Sequence, residues 1–147
     1  MAWQQLSLAF ELQSPLHIGF LPNQPGTVIA RTRCYVPGKN LWGAVVANLT
    51  PRLFPGLSPA AFRKVGDVLR SVIKFSYLYL CCGEKVLAPS YAEGELMWGE
   101  MTDREFRARY VGSYVSTKID KAGGAAYGTL HEIEFLRNKT RNDKGDT

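Results

Sequence analysis

The chain has 147 residues, 46% of them hydrophobic and 21% charged, with a formal net charge of +5. That length predicts one domain with a real hydrophobic core, the composition is that of an ordinary soluble protein, and the excess of Lys and Arg favours a polyanionic partner. No apolar run approaches the ~20 residues that cross a bilayer, and the first residues lack the basic and apolar regions of a signal peptide, so the expectation is a cytoplasmic protein with no membrane partner.

Leu6, Leu8, Phe10 and Leu12 alternate with polar or small residues and predict a half-buried first strand over 5–13. Pro15, Gly19, Pro22, Pro25 and Gly26 then break regular structure through a long loop, with Arg31 and Arg33 near its far end. A loop of that length in a compact domain is usually functional or disordered. After Pro37-Gly38, Leu41, Val45 and Leu49 share one face of a first helix that Pro51 should stop. Ser58-Pro59 predicts the N-cap and first turn of a second helix. Its apolar stripe is Phe62, Val65, Leu69 and Val72, and Arg63, Lys64, Asp67 and Arg70 face water. The nearly continuous apolar run 73–82 reads as a strand covered on both faces. Gly83-Glu84-Lys85 is a turn, followed by weaker strands at 86–88 and 96–98. Residues 102–105 predict a capped helix start leading to Phe106 and the basic Arg104, Arg107 and Arg109. Residues 110–119 and 130–136 read as strands, and 138–147 as a polar, disordered tail. This order points to an α+β sandwich over 1–137, helices on one side of a mainly antiparallel sheet, with the ferredoxin-like (RRM-like) arrangement the commonest such solution.

The chemistry-bearing residues are few. Cys34 stands alone and Cys81 adjoins Cys82, so no disulfide framework is expected, and all three read as small buried apolar residues. With only His17 and His131 to add imidazoles, neither a metal nor another cofactor is expected. Gly38-Lys39 is not a nucleotide-binding loop, because Arg33 and Asn40 stand where such a loop needs Gly and Ser or Thr. His17 has two readings: a phosphate donor or general base at the end of the first strand, or a ring whose hydrogen bond fixes the turn. Lys118, Lys121 and Tyr127 lie in a glycine-rich stretch suited either to a flexible hairpin or to single-stranded nucleic acid, with lysines on phosphates and the aromatic face on bases. Glu132 and Glu134 read as an exposed strand face. The aromatic strand signature of RNA-recognition motifs is missing, so any RNA is expected on loops and helix starts rather than on an aromatic sheet face.

Two segments together resemble the RAMP (repeat-associated mysterious protein) superfamily. The first is His17-Ile18-Gly19 followed by Pro37-Gly38-Lys39-Asn40-Leu41-Trp42-Gly43. The second is Ile119-Asp120-Lys121 running through Gly123-Gly124-Ala125-Ala126 and Gly128 into the acidic strand 130–135. The resemblance implies a ferredoxin-like core, decorated by loops, in a type III CRISPR effector complex. Its partners would be guide RNA, target RNA and the other effector subunits. It implies guide-backbone contacts at His17, Lys39 and Asn40, and a thumb over 118–127; the basic loop residues Arg31 and Arg33 complete the expected RNA-binding set. Target-cleaving relatives carry an aspartate in the first long loop, whereas 20–33 holds no acidic residue. The expectation is therefore a non-catalytic subunit, shortened or fragmentary relative to the family. The alternatives are a metal-independent endoribonuclease that processes CRISPR RNA through His17, and a subunit-bridging module without RNA contact.

Overall fold

The computed structural model describes residues 3–19, 29–119, 121–124 and 130–139. In chain order its elements are β1 (Ile29–Ala30), β2 (Tyr35–Val36), α1 (Gly38–Leu53), α2 (Pro59–Val72), β3 (Leu78–Tyr79), β4 (Cys81–Cys82) and β5 (Lys85–Val86). There follow β6 (Pro89–Ala92), β7 (Glu95–Trp98), β8 (Met101–Thr102), α3 (Asp103–Tyr110), β9 (Val111–Ser116) and β10 (His131–Leu136). The chain is mixed α+β, with its strands in several small sheets. It divides into two compact units, a continuous one over Arg33–Thr102 and a discontinuous one built from the residues on either side. None of its described helices is long and apolar enough to cross a membrane.

In the discontinuous unit, β10 is the central strand. It runs antiparallel to β9 from His131 opposite Ser116 to Leu136 opposite Val111, and parallel to β1. The ring of Phe135 lies across Gly112, where an added Cβ would come within 2.7 Å of it, so this cross-strand pair needs glycine. Helix α3 has Asp103 and Glu105 in its first turn and Arg107 and Arg109 in its last, each sign at the end where the helix dipole favours it. Its Phe106 is 0% exposed, and the ring of Tyr110 lies 5.1 Å from it, centroid to centroid. Ile18, Thr32 and Leu136 are the other buried side chains among the described residues of this unit.

In the continuous unit, α1 and α2 share a core of Val46, Val65 and Leu69, flanked by Trp42, Val45, Leu49, Phe54 and Phe62. Gly66 lets the Trp42 indole approach closely, and the indole Nε1 donates to the Gly66 carbonyl at 3.2 Å. Ser58 caps α2 as its sequence predicts, its hydroxyl accepting from the Ala61 amide at 3.2 Å. Pro51 does not stop α1 where expected. The helix continues to Leu53 because the acceptor that proline leaves unpaired lies on exposed Ala47, within reach of water, and the Phe54 amide still bonds back to Thr50.

Three expectations are corrected. Residues 5–13 form no strand, and Leu6 (79%) and Phe10 (66%) are exposed. The reason is register: Leu16 pairs antiparallel with Leu136, the last residue of β10, so the chain before Leu16 runs past the end of that strand. The run 73–82 is two short strands rather than one covered strand, since Tyr79 and Leu78 pair with β2 before the chain turns back through Gly83. Consequently Cys81 and Cys82 are exposed, whereas Cys34 is buried as expected. Of the tail, only 138–139 are described; 140–147 lie outside the described residues.

Candidate functional site

The His17 turn is held from three sides. Leu16 and Leu136 exchange both backbone hydrogen bonds, at 3.0 and 2.8 Å. The Ile18 amide donates to the buried Thr32 hydroxyl at 2.9 Å, and Gly19 bridges to Thr32. His17 Nδ1 lies 2.6 Å from the Glu134 carbonyl. A carbonyl only accepts, so Nδ1 carries the proton and Nε2 is the nitrogen left for an outside group. The imidazole folds over Gly19, where a Cβ would meet Nε2 at 3.3 Å. The ring therefore fixes the turn through Nδ1, and in this tautomer Nε2 is an acceptor.

Arg31 flanks this turn. Thr32 points inward with its amide on Glu134 Oε2 at 3.1 Å, and its neighbour Arg31 is exposed. Glu134 is not part of an exposed face, which corrects the sequence reading. Its carboxylate receives Thr32 and lies 3.8 Å from Arg107 Nη1, while Arg107 Nε donates to Asp103 at 2.8 Å. Lys118 and Lys121 are exposed beyond β9, Lys121 in the turn that leads to Gly123, whose φ is +82°. Tyr127 lies outside the described residues.

The remaining predicted residues belong to the continuous unit. Pro37 is extended at the start of α1, its carbonyl accepting from the Asn40 amide at 2.9 Å, with no side-chain cap and no acidic residue in the first turn. Gly38 is pressed against the backbone of Phe75 and Ser76. An added Cβ would lie 2.3 Å from the Phe75 carbonyl oxygen, so no larger residue fits there without moving the chain. Lys39 and Asn40 are exposed in this first turn, where the Asn40 amide is bonded to Pro37 and the Gly38 and Lys39 amides have no partner within the helix. Arg33 is half-buried, its guanidinium 5.8 Å from the Tyr35 ring centroid and donating to the Tyr35 hydroxyl at 3.1 Å.

Sequence reasoning missed the aromatic ribbon beside that helix start. Tyr35 on β2 lies directly opposite Tyr79 on β3, and Tyr77, two residues before Tyr79, packs near both rings. Tyr35 is 5.3 Å from Tyr77, 6.2 Å from Tyr79 and 6.4 Å from Trp98, centroid to centroid. The alternation Tyr77-Leu78-Tyr79 was the available signal, but it became informative only once the partner strand was known. Among the described residues no cluster of His, Cys, Asp and Glu could hold a metal ion. Compared with protein-family models, curated proteins and solved structures, the chain shows no match.

Proposed function

We propose that this chain is a non-catalytic RNA-binding subunit of a type III CRISPR effector complex, with the ferredoxin-like arrangement of the RAMP superfamily as its finer fold. The supporting observation is the start of α1, where exposed Lys39 and Asn40 stand beside uncapped amides with no carboxylate in the turn, a setting suited to a backbone phosphate. Arg31, exposed beside the His17–Gly19 turn, supplies a further cation of the same chemical character.

A second reading, metal-independent cleavage of RNA, draws on His17 Nε2. General acid–base cleavage also needs an acid for the leaving oxygen, and the side chain of Glu134, whose backbone carbonyl holds His17, is engaged by Thr32 and Arg107. The binding reading is therefore preferred.

The test is titration of single-stranded RNA at several salt concentrations, with product analysis in parallel. Each phosphate neutralised on a single strand adds roughly 0.7 to the slope of log affinity against log salt, so a handful of contacts gives a slope of about 2 to 4. We expect that slope, and intact RNA with or without magnesium. Absence of binding at low salt, or a flat salt response, leaves the subunit-bridging module as the better account. Cleavage at a defined position that His17→Ala abolishes would establish the ribonuclease instead.

A further inference from the structure

Most tyrosines that pack against one another do so to close a core, and those of the β2–β3 ribbon depart from that in an informative way. Trp98, 4% exposed, lies 6.4 Å from Tyr35, yet Tyr77 is 56% exposed although its ring is 5.3 Å from Tyr35. An aromatic ring held in place by neighbours, with much of its surface still in water, is a rigid and unfilled apolar surface. Its orientation is already fixed, so little side-chain freedom remains to be lost on binding.

The strands of the ribbon and the segments flanking them carry mainly positive charge, although Arg70 is paired with Asp67 at 3.9 Å. The two segments that form the ribbon and its surroundings, 33–52 and 68–83, contain Arg33, Lys39, Arg52, Arg70 and Lys74 and no acidic residue. Besides its pair with Asp67, Arg70 lies over the Trp42 ring at 5.0 Å, and two other cations border the ribbon. Arg33 is tied to Tyr35 through its hydroxyl and ring. Lys39 follows Gly38, whose contact with the backbone of Phe75 and Ser76 fixes the start of α1 beside the residue preceding Tyr77. A planar apolar group joined to a negative charge is therefore the complementary ligand, and a nucleotide within a single strand is such a group.

We infer that Tyr77, supported by Tyr35 and Tyr79, is a stacking site for one unpaired base of single-stranded RNA, with Arg33 and Lys39 on the flanking phosphates. This rests on the RNA-binding reading above and assigns it a specific surface. Stacking on an aromatic ring is tolerant of sequence because every base has a π-face, so the site would add affinity without selecting a base.

The experiment compares wild type, Tyr77→Ala and Tyr77→Phe in binding a short oligouridine and the same ribose-phosphate backbone without bases, each across a salt series. For Tyr77→Ala we expect about tenfold weaker binding of the oligouridine, within the range that loss of one stacked base produces, and an unchanged salt slope because no charge is lost. Tyr77→Phe should bind as wild type, since the ring and not the hydroxyl is used. The base-free backbone should bind wild type and Tyr77→Ala equally. If Tyr77→Ala binds oligouridine as wild type does, with the salt slope intact, the stacking site is wrong and the RNA-binding reading stands. If wild type binds neither probe, the RNA-binding reading has failed and the stacking site falls with it. Should Tyr77→Ala lose thermal stability, Tyr77→Leu decides, since it keeps apolar bulk without the ring. Full affinity in a folded Tyr77→Leu protein would overturn the inference.

Discussion

Lys39 and Gly38 are neighbours with opposite demands. Gly38 is buried and excludes a side chain, because the Phe75 carbonyl occupies the space a Cβ would take. Lys39 is exposed, and its side chain contributes to what the helix start presents outward. Reversing its charge separates binding from stability. A glutamate in the first turn interacts favourably with the helix dipole, by about 0.3–1 kcal/mol at an exposed site, so Lys39→Glu should keep or slightly raise the melting temperature. The same change removes one cation from the phosphate path and adds a repelling charge, so RNA affinity at low salt should fall roughly tenfold and the salt slope by about 0.7. Parallel thermal melts and RNA titrations check this. A variant that loses affinity only together with stability would show that Lys39 is structural.

At the scale of elements, α2 owes its start to one hydroxyl. Ser58 is extended, its side chain takes the Ala61 amide, and Pro59 sets the first turn. Replacing such a cap by alanine costs about 1 kcal/mol, and Ser58→Ala should show that loss as a lower urea midpoint with unchanged slope. The helix survives, because Val65 and Leu69 remain buried against Val46 of α1. The three helices and the β9 and β10 strands were legible because their signals are local: a cap, a stripe, a proline, an alternating run ended by a turn. Residues 5–13 carry an equally good strand pattern and form none, since alternation says which face is apolar and not whether a neighbour is present. For the same reason the Tyr35, Tyr77 and Tyr79 cluster was invisible: two short strands about forty residues apart had to meet before it existed. At His17 the residue and its turn were readable, but its partner, the Glu134 carbonyl, is a backbone atom with no sequence signature.

On the scale of the whole molecule, the apolar side chains of Leu6, Leu8 and Phe10 remain in water and their backbone joins no ladder among the described residues. Amide exchange measures that directly. Residues 5–12 should exchange near the rate of an unfolded chain, whereas the amides of β10 paired with β9 should be strongly protected. Protection of 5–12 that grows with protein concentration would mean a second copy supplies the missing strand.

The division of the chain also sets the order in which it can be completed during synthesis. The partners within Arg33–Thr102 are all made before α3 begins, but Leu16, His17 and Ile18 precede that unit and find their partners at residues 134–136 and Thr32. At translation speeds of about 5–20 residues per second, the first-made apolar stretch waits on the order of ten seconds for the last-made strand. Arg107, reaching both Asp103 and Glu134, and Glu134, receiving Thr32, then draw together the two points where the chain leaves and rejoins this unit. A ribosome that stalls before β10 thus releases a chain with its helical pair formed and its His17 turn without a frame.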